Sequence, residues 1–162
     1  MELLFELTKI ITPFILGYGL YLNYKQMKTN NTQRKNELIS NVLFKLLDDK
    51  DISNIFYKLE YNAFKYSDSF HHSKEEVKLD KILVLFNILS KQYYDNLIEI
   101  DDIEEISYDM MTVYQNQEVQ KYLAFLDGWY KDNGYKKMPY SNFRKLAKEV
   151  KLKHISQEHN KS

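Results

Sequence analysis

Asp49, Asp51, Ser53 and Glu60, in the stretch DKDISNIFYKLE, fall at positions 1, 3, 5 and 12 of an EF-hand calcium loop. Oxygen ligands at those spacings can wrap a hard cation. Asn54, however, stands where the motif needs glycine, and Tyr57 brings no carboxylate to position 9. Ile52, Ile55, Phe56 and Leu59 also carry a helical apolar stripe straight through the would-be loop, so the stretch reads as helix and no metal is assigned. His71-His72 offers two imidazoles, but neighbouring side chains diverge, and no His or Cys follows at helical spacing to complete a ligand set. The pair reads as an exposed linker. Glu99, Asp101, Asp102, Glu104 and Glu105 crowd one short segment; acids at a helix start are stabilised by the helix dipole, which accounts for them.

The last basic stretch, with Arg144, Lys145, Lys148, Lys151 and Lys153 near Tyr140 and Phe143, has the residue types that hold nucleic-acid phosphates and stack on bases. Phe143 fits a buried stripe and the net charge of the chain is zero, so no specific nucleic acid is expected. A helical ribonuclease of the R-x4-6-H kind fails on spacing, since neither Arg34 nor Arg144 has a His at that distance. The chain has no cysteine, hence no disulfide frame, thiolate nucleophile or Cys-based zinc site. No catalytic residue, cofactor-binding residue or metal ligand is assigned, and the chain is read as a non-enzyme needing no cofactor.

The elements that would position such groups are helices. Four glycines and two prolines in 162 residues favour long helices over a turn-rich β architecture. Leu38, Ile39, Val42, Leu43 and Leu46 open the amphipathic series, after a break expected at Asn30-Asn31. Asp51 is the expected cap of a second helix, with Ile52, Ile55, Phe56, Leu59 and Ala63 inward. Ser73 and Glu76 form a capping box ahead of Val77, Leu79, Ile82, Leu83, Phe86 and Leu89, with Leu85 and Ile88 widening the stripe; this reads as the central helix. Asp101 and Asp102 open a shorter helix bearing Ile103, Ile106, Met110 and Met111. Asn116 caps the next, with Val119, Tyr122, Leu123, Leu126 and Trp129 on one face and Gly134 as its stop. Ser141 caps the last, with Phe143, Leu146 and Val150 inward.

Ahead of them lies IITPFILGYGLYLNY, Ile10 to Tyr24, fifteen residues with no formal charge. As a helix it rises about 22 Å, short of the roughly 30 Å hydrocarbon core. Extension back to Leu3 reaches about 33 Å at the cost of Glu6 and Lys9, which share a helix face. Tyr18, Tyr21 and Tyr24 suit a water interface, and Lys25, Lys28, Arg34 and Lys35 follow the stretch, which by the positive-inside rule sets the C-terminal side in the cytoplasm. Charge is basic at the start (+3 over residues 1–35), acidic in the middle (−7 over 36–105) and basic at the end (+4 over 106–162). The expected fold is all-α: an N-terminal transmembrane helix (1–28), a five- to six-helix cytoplasmic bundle (29–153) and a flexible tail (154–162).

The segments LDKILVLFNILSKQYYDNLIEIDDIEEI (79–106), EVQKYLAFLDGWY (118–130) and MPYSNFRKLAKE (138–149) carry a resemblance. Over roughly residues 35–150 the chain resembles an uncharacterised group of small bacterial and phage proteins with one N-terminal membrane helix and a cytosolic all-helical domain. That resemblance implies a single-pass protein of the cell (inner) membrane, in contact with membrane lipid and a protein partner. Some membrane-anchored helical proteins of this look are associated with phage defence by abortive infection. Three functions compete on these grounds. One is a non-enzymatic interaction module at the membrane. Another is a membrane-perturbing effector that acts as an oligomer, its anchors associating through Gly17 and Gly19. The last is a soluble helical regulator whose N-terminal helix binds a partner.

Overall fold

The computed structural model describes the backbone of residues 2–159, and the side chains of residues 16–67 and 69–156. Among the described residues six α-helices follow one another: α1 (Glu2–Asp48), α2 (Lys50–Glu60), α3 (Lys74–Tyr94), α4 (Glu104–Gln115), α5 (Gln117–Asp132) and α6 (Ser141–His159). Short 3₁₀ turns stand at Asp68–Phe70 and Asp101–Ile103, and no strand occurs among the described residues. The all-α expectation holds. By internal contact the chain divides after Leu38 into two compact units.

The first unit is the greater part of α1. Its helix runs unbroken through Asn30-Asn31, against the expected break. No Gly or Pro interrupts the ladder there, and Thr29 and Thr32 donate their hydroxyls back to the carbonyls of Lys25 and Lys28 at 3.1 Å each. Leu16, Leu20 and Tyr24 are 62%, 70% and 66% exposed. No helix among the described residues is long and apolar enough to cross a membrane. Asn23, Lys25 and Lys28 end the apolar run early. Of the span expected over residues 1–28, the side chains of residues 1–15 lie outside the described residues.

The second unit is the bundle, with α3 at its centre, packed on α2 and α6, while α4 packs on α2, α5 and α6. Leu79, Ile82, Leu83, Phe86 and Leu89 of α3 are fully buried, and burying each such side chain contributes about 1.5–3 kcal/mol. Val77 and Ile88, expected inward, are 57% and 50% exposed. They share a stripe with Lys81 and Val84 on the solvent side, because the apolar arc of α3 is wider than the face its neighbours cover. Ala63 is also exposed, since α2 ends at Glu60 and Asn62 turns the chain with φ +54°.

Caps fix the helix starts. Asp49, not Asp51, caps α2, its Oδ1 accepting from the N–H groups of Asp51 (2.9 Å) and Ile52 (3.3 Å). Ser73 caps α3 as expected, accepting from the Glu76 N–H at 3.2 Å. Asn116 caps α5 through the N–H groups of Glu118 (3.0 Å) and Val119 (3.2 Å), and donates its amide to the Leu59 carbonyl at 3.2 Å. Ser141 opens α6, but its Oγ meets no partner among the described residues. Asn87 of α3 does the capping from outside, its Oδ1 accepting from the N–H groups of Asn142 (3.2 Å) and Phe143 (3.3 Å). The tail expected to be flexible from residue 154 is helical to His159.

Candidate functional site

A capping box on α3 becomes the centre of a polar network. Glu76, three residues after the cap, turns its carboxylate back over the helix start, where Oε2 accepts from the His72 N–H at 2.5 Å. His72 has φ +63°, a left-handed turn that swings the preceding imidazole inward. His71 Nδ1 then lies 3.1 Å from Glu76 Oε1, and His71 Nε2 lies 2.8 Å from the Tyr66 hydroxyl. An ionised carboxylate only accepts, so Nδ1 carries the proton, and in the neutral ring Nε2 accepts from the phenol. The imidazole packs against Phe125 with ring centroids 4.1 Å apart.

One turn along α3, Asp80 presents a second carboxylate. Its Oδ1 accepts two phenols, Tyr122 of α5 at 2.9 Å and Tyr140, in the loop before α6, at 2.7 Å. Tyr122 is 1% exposed and its hydroxyl also lies 3.2 Å from Glu76 Oε1, so it bridges both acids. Tyr140 reaches in from a left-handed backbone, φ +53°. Around them Phe64, Phe70 and Tyr66 pack edge to face, with Phe70 and Tyr122 centroids 5.1 Å apart.

Burial pushes the Asp80 carboxyl above its usual value, against the pull of the two phenols. Burial also acts on Glu76, yet the hydrogen bonds from the His72 N–H, His71 and Tyr122 together hold it below the usual carboxylate range. The phenols of Tyr122 and Tyr140 are pushed up, first by burial and then by Asp80, which keeps both as donors. Two carboxylates one turn apart thus stand in opposite environments. Chemically the arrangement orients the His71 imidazole between the Glu76 carboxylate and the Tyr66 phenol.

The residues singled out from sequence lie elsewhere, and most are engaged. Asp49 is spent on the cap, Asp51 pairs with Lys81 at 2.6 Å, and Glu60 accepts from the Tyr108 hydroxyl at 2.8 Å. They sit along and beside a helix, not around a loop. Asp101 pairs with Lys153 at 2.5 Å, and Asp102 accepts from the Glu99 N–H at 2.6 Å. Of the basic residues in α6, Arg144 bonds Asp127 (2.6 Å) and the Leu123 carbonyl (3.2 Å), while Lys145 lies 4.1 Å over the Tyr94 ring. Lys148 and Lys151 remain on the surface. An open cleft of about 570 Å³ lies beside that ring, lined by Tyr93, Tyr94, Ile98, Asp101 and Glu149, with Tyr94 donating to Glu149 at 3.0 Å.

His71 corrects the exposed-linker reading: its side chain is 21% exposed and paired, whereas His72 stays on the surface. Asp80 was missed altogether. Its signal was present, an acid lying between the buried positions Leu79 and Ile82 and one turn after Glu76. No family model, curated protein or solved structure matches this chain.

Proposed function

We propose that the chain is a non-enzymatic interaction module, tethered to the cell membrane by the start of α1 and holding its helical bundle at the cytoplasmic face, where it docks a protein partner. The observation that carries this reading is the exposed apolar run of α1. Leu16, Leu20 and Leu22 are 62%, 70% and 45% exposed, beside the interfacial rings of Tyr18, Tyr21 and Tyr24. Apolar surface of that extent calls for a cover. The uncharged sequence before it and the basic flank after it favour lipid as that cover.

Membrane fractionation tests the tether. Full-length protein is expected to stay with the membranes through a carbonate wash, and a 29–162 truncation to appear soluble and helical. Full-length protein in the soluble fraction without detergent would overturn the proposal. An insoluble or unfolded truncation would assign the N-terminal helix to the core instead.

A further inference from the structure

At the end of α5 three rings gather on the surface. Trp129 and Tyr135 stack with centroids 5.9 Å apart and planes 22° from parallel, and Tyr130 lies 4.8 Å from Tyr135 and 5.5 Å from Trp129. The backbone builds this cluster. Gly134 takes φ +76°, which glycine adopts without a Cβ penalty. The chain then closes as a Schellman turn, with the Tyr135 N–H donating to the Tyr130 carbonyl at 2.9 Å and the Gly134 N–H to the Lys131 carbonyl at 3.1 Å. The turn folds Tyr135 back onto the two rings of the helix.

Trp129 is nonetheless 47% exposed and Tyr135 53% exposed. Neither the indole N–H nor the two phenols make a hydrogen bond among the described residues. Lys131, Lys136 and Lys137 neighbour the rings in the chain, all exposed and without an ion pair among the described residues; Asp132 is the one acid in residues 129–137. The cluster is thus an apolar body with polar tips in a stretch of net positive charge.

We infer that this tip is a docking surface for anionic phospholipid. Amphipathic Trp and Tyr rings find both an apolar and a polar environment at headgroup level. Lysines beside them reach the lipid phosphates and carboxylates while their stems lie along the apolar layer. Single-stranded nucleic acid suits the site less, because base stacking uses free ring faces, and Trp129 and Tyr135 each already have one face against the other. The inference builds on the proposed tether, which would bring the bundle to a lipid surface, but it concerns a different part of the chain.

Trp129 is the only tryptophan, so its fluorescence reports on the tip alone. The full-length chain would be reconstituted into vesicles of phosphatidylcholine, with or without phosphatidylserine, carrying a lipid brominated near the headgroup. Flotation reads the tether, and quenching of Trp129 reads the tip. The expected result is flotation with both vesicles, and quenching with a blue shift only when phosphatidylserine is present. Lys136→Gln and Lys137→Gln should each reduce the docked-to-free ratio about fivefold, with far-UV helicity unchanged, and added salt should act in the same direction.

Flotation with a solvent-exposed Trp129 in both lipids would overturn the tip and leave the tether standing. Equal quenching in both lipids would overturn the requirement for negative charge. Failure to float with phosphatidylcholine alone would overturn the tether, and the tip would fall with it if vesicles containing phosphatidylserine neither floated the chain nor quenched Trp129. A blue shift of the same size with oligouridylate would replace lipid by nucleic acid as the occupant and overturn the inference.

Discussion

Replacing Tyr140 by Phe removes one oxygen and leaves the ring, so it isolates the hydrogen bond to Asp80. That bond is 2.7 Å long and ends on an acid whose only other described donor is Tyr122, at 2.9 Å on the same oxygen. Hydrogen bonds to charged groups are worth about 1.5–3 kcal/mol. Tyr140 is half-buried, which places Tyr140→Phe at the low end, about 1.5 kcal/mol. Tyr122→Phe should cost more, about 2–3 kcal/mol, because its hydroxyl is buried and serves Glu76 as well. Asp80→Asn keeps an accepting oxygen but removes the charge, so in that background the cost of Tyr140→Phe should fall by roughly half. Urea unfolding of the full-length chain in mild detergent, followed by far-UV circular dichroism, reads all three.

The pH profile supplies the sign. Asp80 is raised above its ordinary 3.8, so the folded chain holds a proton that the unfolded chain has already released. Its contribution to stability is therefore complete below 3.8 and is lost as pH rises through the folded value. Glu76 is held below its ordinary 4.5, so its contribution is complete above 4.5 and is lost as pH falls through the folded value. The two slopes oppose each other in wild type. Asp80→Asn should leave the Glu76 slope alone, giving a steeper loss of stability in acid, while Glu76→Gln should leave a profile that declines as pH rises above 3.8. The reasoning is refuted if Tyr140→Phe costs under about 0.5 kcal/mol at neutral pH, or costs the same with and without the Asp80 charge.

Asn116→Ala loses both the cap of α5 and the amide that holds the Leu59 carbonyl, for a cost of about 2–3 kcal/mol. Asn116→Asp, which keeps the cap and drops the donor, should fall between it and wild type in the same unfolding assay. Lys153→Gln should leave the urea midpoint at the wild-type value within error, because its partner Asp101 has a side chain 79% exposed; a clear drop would mean that the pair does more than its exposure allows.

What could be read from the sequence was whatever is decided within a few residues. Ser73 with Glu76, Asn116 before its apolar stripe and Gly134 after it are signals spaced by helix geometry, and each stands where its spacing put it. The stripe of α3 was legible for the same reason. Where the answer depends on residues distant in the chain, local pattern could not supply it. Ser141 looked like the cap of α6, yet Asn87 occupies the role from 55 positions away. Asp80 and Tyr140 are 60 positions apart, and nothing near either one points to the other. His71 looked exposed because two adjacent histidines in a polar linker have no periodicity; the left-handed turn at His72 decides which faces inward. The break expected at Asn30-Asn31 rested on poor helix formers alone, and propensity differences of well under 1 kcal/mol per residue do not end a helix that has no Gly or Pro.

The network and the surface tip share one stretch of chain, from the middle of α5 to the start of α6. Tyr122 ties α5 to Asp80, and Tyr140 ties the far end of the loop to the same oxygen. Between these two ties run Trp129, Tyr130, the Schellman turn and the lysines at 131, 136 and 137. A segment ordered at both ends has less conformational entropy left to lose when it binds, so more of its gross interaction appears as affinity. A polar network that is costly to bury in a bundle of this size then has a physical use. It leaves the hydrophobic core to hold the bundle together, and it ties down both sides of the stretch in which the chain presents its aromatic and basic side chains outward.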